Sequence, residues 1–169
     1  MKILALSGST NPNSSNYQLL VAIKELLNDE HEMTIVKDLH EFEFFTIQNA
    51  IKGASEKLKA FKEKANNADL LIVATPEYSH NIPAVLKNTF EWCYESGEFN
   101  DKPTLAIVMM PNEPRGKDGM NCLISTLKGQ KAKIIAEMPL YFTDIEKSED
   151  KVYLREEVKE MIHGILEMA

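Results

Sequence analysis

Apolar residues recur along this chain in two alternating rhythms. Lys2–Ser7 is a short apolar run that stops at Ser7-Gly8-Ser9, which predicts a buried strand. From Asn16 to Asn28 the apolar residues Leu19, Leu20, Ile23, Leu26 and Leu27 keep helical spacing, so one face packs on a core. Glu32–Asp38 reads as a second strand, His40–Lys52 as a loop, and Ser55–Asn66 as a helix with Leu58, Phe61 and Ala65 inward. Asp69–Thr75 is the strongest strand, apolar on both faces as a central parallel strand should be. Pro83 opens a helix to about Glu95, where its missing N–H costs nothing. Thr104–Met110 is a strand, Asp118–Gly129 a helix with Gly129 as its C-cap, and Lys133–Met138 a last strand. A helix over Glu149–Met168 closes the chain, burying Leu154, Val158, Met161, Ile162, Ile165 and Leu166.

Five strand–helix alternations predict an α/β fold with a parallel sheet and helices on both faces. Ligands in such folds sit at the carboxyl ends of the strands, where strand order reverses. The loops to inspect are therefore Ser7–Asn16, Thr75–Pro83 and Pro111–Gly119.

Composition narrows the function. The 169 residues suit one domain, 1–169, and no apolar run reaches the ~18 residues a membrane span needs. Nineteen basic against 26 acidic residues give a net charge of −7, a poor basis for nucleic-acid binding. Cys93 and Cys122 have no metal-ligand spacing and no disulfide framework, which sets a reduced, cytoplasmic chain as the default.

The first loop, Ser7-Gly8-Ser9-Thr10-Asn11-Pro12-Asn13-Ser14-Ser15-Asn16, is dense in hydroxyls and amides and holds no charged residue. It lacks the Gly-Lys-Ser/Thr ending of a triphosphate loop and the Gly-x-Gly-x-x-Gly of a dinucleotide fingerprint. It reads either as a monophosphate cradle at a helix N-terminus or as a plain capped turn. The second loop, Thr75-Pro76-Glu77-Tyr78-Ser79-His80-Asn81-Ile82-Pro83, is braced by two prolines and offers backbone N–H groups to a flat polar ring. Together they describe a phosphate at one loop and a planar heterocycle at the other.

Here the chain resembles the NAD(P)H-dependent FMN reductases, with their azoreductase, quinone reductase and chromate reductase relatives. The resemblance rests on Ile3–Ser9 followed by Ser15-Asn16, and more specifically on Thr75–Asn88 with its Pro-Glu-Tyr segment and Ile-Pro-Ala-Val-Leu-Lys-Asn sequel. Length and element order extend it over essentially the whole chain. It implies a flavodoxin-like three-layer sandwich with a five-stranded parallel sheet in the order 2-1-3-4-5. It implies FMN as cofactor, NADPH or NADH as co-substrate, and ping-pong hydride transfer through flavin N5 to a small-molecule acceptor. Ser9, Ser14, Ser15 and Asn16 would hold the phosphate. Pro76, Glu77, Tyr78, Ser79 and Asn81 would lie along the ring, with Gly116 in the third loop. His80 is a candidate proton donor, though a loop histidine is more often simply solvated. Related enzymes are dimers or tetramers, and Trp92, off the main apolar face of its helix, and the cluster Phe42, Phe44 and Phe45 serve either a subunit contact or the core. Cys93 reads as core packing.

Two departures stand out. Asn11 occupies a position where many members carry Arg, and the third loop keeps only Gly116 and Gly119 of a usually glycine-rich stretch. Two other readings share the fold: an electron carrier of the flavodoxin kind, and an interaction module that has lost its flavin. A phosphoacceptor receiver domain is rejected, because Ser7 and Thr75 stand where acidic residues are required.

Overall fold

The structure is a computed structural model that describes residues 1–11, 13–27, 30–149 and 151–169. Pro12 of the first loop, Asn28 at the expected end of the first helix and Asp150 lie outside the described residues.

The strands are β1 (Lys2–Ser7), β2 (Glu32–Val36), β3 (Leu70–Thr75), β4 (Pro103–Met110) and β5 (Lys133–Tyr141). They form one sheet, every neighbouring pair parallel, in the order β2-β1-β3-β4-β5. This is the expected flavodoxin-like order, with the reversal between β1 and β3. β3 is buried at all six positions, which explains its unbroken apolar sequence. Its alternate residues serve two cores. Leu71 and Val73 face the helices α3 (Glu56–Asn67), α4 (Ala84–Cys93) and α5 (Lys117–Gly129). Leu70, Ile72 and Ala74 face α1 (Ser15–Leu27) and α6 (Glu156–Leu166). Each fully buried leucine contributes about 1.5–3 kcal/mol.

Three sequence expectations are corrected. The segment 40–52, expected as loop, contains a 3-10 turn (Leu39–Glu41) and a short helix, α2 (Ile47–Lys52). Its caps make α2. Thr46 Oγ1 accepts from the Asn49 N–H at 3.0 Å, and Gly53 ends the helix at φ 93°. The last helix begins only at Glu156, because a hairpin, β6 (Ile145–Lys147) and β7 (Val152–Leu154), takes the residues before it. Val152 and Leu154 alternate inward at strand spacing, so Leu154 belongs to the hairpin and Met161 is exposed. Gly129 is inside α5, not its cap. The turn comes at Lys131 (φ 56°), set by Gln130, whose Nε2 donates to the Phe90 carbonyl at 2.9 Å.

The aromatic cluster splits. Phe42 and Phe45 pack inward, and Phe44 is exposed. Trp92 is buried, and its Nε1 donates to the Glu43 carbonyl at 2.7 Å. Asn88 adds two more bonds to this segment, accepting from the Phe45 N–H at 2.8 Å and donating to the Glu43 carbonyl at 3.1 Å. Burial pushes the Glu43 carboxyl pKa up, but the Ser55 N–H and hydroxyl, each at 2.8 Å, outweigh it and hold the group below its ordinary range.

Candidate functional site

The three loops meet at the carboxyl end of the sheet. Gly8 continues β1 toward β3, its N–H donating to the Ala74 carbonyl at 2.9 Å. A Cβ at Gly8 would lie 2.4 Å from Thr75 Oγ1 and 3.0 Å from Leu86 Cδ2. Glycine at this position therefore brings the first and second loops into contact.

Within the first loop the hydroxyls have a consistent role. Ser9 Oγ accepts from the Asn11 N–H at 3.2 Å. Ser14 Oγ accepts from the Tyr17 N–H at 3.1 Å and so caps α1. Each hydroxyl thus accepts one backbone proton and keeps its own O–H to donate. Ser15 and Asn16 form the first turn of α1, which carries no acidic residue. Asn16 is buried. Its Nδ2 donates to the Met109 carbonyl at 3.3 Å, and its Oδ1, like the buried Ser7 Oγ, has no hydrogen-bond partner among the described residues. Neutral donors converging on a helix N-terminus suit a phosphate, and the donor set fits that of FMN.

In the second loop, Pro76 is buried and Glu77 largely so, whereas Tyr78, Ser79, His80 and Asn81 are exposed. Tyr78 and Asn81 exchange both backbone bonds, at 2.8 and 3.0 Å, across a tight turn. Its central residues Ser79 (φ 51°) and His80 (φ 58°) are both left-handed, a conformation that favours glycine. Asn81 Oδ1 accepts from the Ile82 N–H at 2.8 Å, which stiffens the exit. His80 Nδ1 lies 2.8 Å from Asp118 Oδ2 and 3.9 Å from Glu77 Oε1, with the side chain 81% exposed.

Glu77 joins the second loop to the third. Its Oε2 accepts from the Gly119 N–H at 2.7 Å, capping α5 from outside, and its own N–H meets Met110 Sδ at 3.2 Å. Gly116 (φ 96°) precedes α5 and lies against Met110 and Val108. Glu77→Ala is expected to cost about 1–2 kcal/mol through the lost cap, read by urea denaturation. An unchanged midpoint would remove this link between the loops.

Sequence reasoning missed Met110, Asp118 and Gly119 as partners of the second loop, and Asn88 as the residue that fastens the segment 43–45. Cys93 is fully buried, and desolvation together with Glu98 raises its thiol far above the ordinary range, so it is no nucleophile. Among the described residues no group of acidic, His or Cys side chains could hold a metal, and no helix is long and apolar enough to cross a membrane.

A parallel sheet in this order, with a first loop rich in neutral donors on one side of its switch point and a braced loop on the other, defines a flavodoxin-like fold. Comparison with known proteins makes this specific. The chain belongs to the NADPH-dependent FMN reductase family, whose profile matches residues 1–145. It is 32% identical over 110 residues to a subunit of an NADH:(hydroxy)cinnamate reductase from Vibrio ruber, covering 63% of this chain and 52% of that one. It is 36% identical over 97 residues to subunit 2 of an NADH-dependent flavin reductase from Lactobacillus johnsonii, covering 54% and 48%. The chain spans about half the length of these curated relatives. Its fold is similar to that of the NAD(P)H:(acceptor) oxidoreductase flavoenzyme of Paracoccus denitrificans, with a TM-score of 0.82 at 17% identity over 98% of this chain and 95% of that one.

Proposed function

We propose that this chain, as a single domain over residues 1–169, is an FMN-dependent oxidoreductase that takes electrons from NADPH or NADH and delivers them to a small-molecule acceptor such as a quinone, an azo compound or free flavin, in a ping-pong cycle. The observation that carries the reading is the pair of hydroxyls, Ser9 and Ser14, at the N-terminus of α1 beside the Thr75–Pro83 loop, each accepting one backbone N–H and keeping its own O–H to donate. The names of the relatives support the donor and acceptor classes.

In this reading Ser9, Ser14, Ser15 and the first turn of α1 hold the phosphate. Asn16 acts mainly as a tie between α1 and the end of β4. Glu77 fixes the second loop against Met110 and α5, so that Pro76 and the backbone of Tyr78–Asn81 would border the ring. Bound there, FMN would supply the hydride- and electron-transfer chemistry. His80, anchored through Nδ1 to Asp118, keeps Nε2 to exchange a proton with an acceptor at the mouth. The absence of charge in the first loop makes phosphate binding weaker than with an Arg, since a charged donor is about twice as strong as a neutral one.

The test is an anaerobic visible spectrum of the purified protein with added FMN, then with NADPH or NADH. The reading expects perturbed flavin bands that bleach with a nicotinamide. Bands that are perturbed but resist both donors would point to an electron carrier, and unperturbed bands in excess FMN would overturn flavin binding altogether.

A further inference from the structure

Apart from His80, the three loops at the carboxyl end of the sheet hold two basic residues, Arg115 and Lys117, both in the third loop and both exposed. Gly116 between them is buried at φ 96°, and a Cβ there would come within 3.0 Å of Met110 and 3.1 Å of Val108. The loop is thus pressed onto the end of β4 at the residue that joins the two cations. They open onto a cavity of about 180 Å³ whose other walls include Glu77, His80 and Asp118. Those walls are tied together. Glu77 Oε2 accepts from the Gly119 N–H at 2.7 Å, and His80 Nδ1 lies 2.8 Å from Asp118 Oδ2. The carboxylates of the cavity are therefore already engaged. Glu113 shares the loop but does not line the cavity. Among the described residues Arg115 and Lys117 make no ion pair and no side-chain hydrogen bond, whereas Lys87, Lys151 and Lys159 elsewhere sit 2.6–3.1 Å from a carboxylate. The charge left free in the cavity is positive, in a chain that carries −7.

Two unengaged cations on either side of one buried residue suit a ligand that carries an anionic group, because guanidinium and ammonium groups make their strongest hydrogen bonds to charged acceptors. The place of the cavity indicates which ligand. Glu77 and His80 belong to the loop that borders the ring in the reading proposed above, on which this inference rests. A charged substituent on a ring that reacts there stands beside the same loop. The phosphates of a nicotinamide dinucleotide are at least one ribose away from its reacting ring, so the acceptor is the nearer source of the anion. We propose that Arg115 and Lys117 select electron acceptors that carry a carboxylate or sulfonate on the reducible ring system. The same contact holds such an acceptor next to His80, which walls the cavity from the second loop.

The probes are a naphthoquinone sulfonate and its uncharged parent quinone, reduced by the FMN-loaded full chain with one nicotinamide. Each protein is read as the ratio of kcat/KM for the two quinones, so that their intrinsic reactivities cancel between variant and wild type. Arg115→Ala with Lys117→Ala is expected to lower that ratio about tenfold, through KM, the low end for hydrogen bonds to a charged group because both side chains are exposed. Arg115→Lys is expected to keep most of the preference, Arg115→Glu to turn it against the sulfonate, and added salt to erode it in the wild type. A naphthalenesulfonate, which accepts no electrons, gives a readout free of turnover. Isothermal titration is expected to show it binding the wild type, and about tenfold more weakly the double variant. Equal losses for both quinones, a preference indifferent to salt, or a KM that rises for NADPH and not for the sulfonate would each overturn the proposal and leave the oxidoreductase reading intact. Flavin bands that stay unperturbed in excess FMN would overturn both.

Discussion

Gly8→Ala is expected to lower the melting temperature by roughly 3–10 °C and to weaken FMN binding. The new methyl would sit 2.4 Å from Thr75 Oγ1, 2.8 Å from Thr75 Cβ and 3.0 Å from Leu86 Cδ2. None of these atoms is a flexible tip. Thr75 is fully buried at the end of β3 with its hydroxyl bonded to the Pro76 carbonyl, and Leu86 is fully buried on α4. Overpacking of this kind costs about 1–3 kcal/mol, and each kcal/mol moves Tm by about 2–4 °C in a chain of this size. The strain is relieved by parting the first loop from the second, so cofactor affinity should fall with stability. Differential scanning calorimetry and a flavin fluorescence titration measure the two effects. A variant that melts like the wild type would show that the close approach at Gly8 is not required.

Ser9→Ala is expected to weaken FMN binding by roughly 10- to 150-fold while leaving riboflavin binding nearly unchanged, as expected for a lost hydrogen bond to a charged group worth about 1.5–3 kcal/mol. The contrast isolates the phosphate, because riboflavin presents the same ring without it. Ser14→Ala should show the same FMN selectivity plus a stability loss of about 1 kcal/mol, since its hydroxyl also caps α1. Equal losses for FMN and riboflavin in Ser9→Ala would place the phosphate elsewhere. Isothermal titration with both ligands decides it.

The sheet and the large helices were legible because their residues answer to one dominant force. Leu70–Thr75 is apolar on both faces, and only a central strand buries both. The smaller elements were not legible. The caps at Thr46 and Gly53 define α2, but no buried face marks its period, and Val152 and Leu154 are too few to separate a hairpin from a helical start. The site shows the same division. The loop compositions pointed to the carboxyl end of the sheet, where all three loops meet. The ties among them were hidden, because Asn16 meets Met109 and Glu77 meets Gly119 across 93 and 42 residues, and register alone brings them together. Trp92 is off the face defined by Leu86, Phe90 and Cys93, yet it is buried by the segment 43–45 that α4 fastens to itself.

The left-handed pair Ser79 and His80 bears on how this protein would change under selection. A non-glycine residue in that conformation costs about 1–2 kcal/mol, and a turn of this geometry favours Asn followed by Gly. Laboratory evolution for heat resistance alone would therefore find early, cheap gains at these two codons, replacing the imidazole with glycine. Selection that rewards turnover would resist that exchange wherever His80 contributes to it. The two regimes would drive position 80 in opposite directions, so the fate of this residue in parallel lineages would report how far the natural chain gives up robustness for its chemistry.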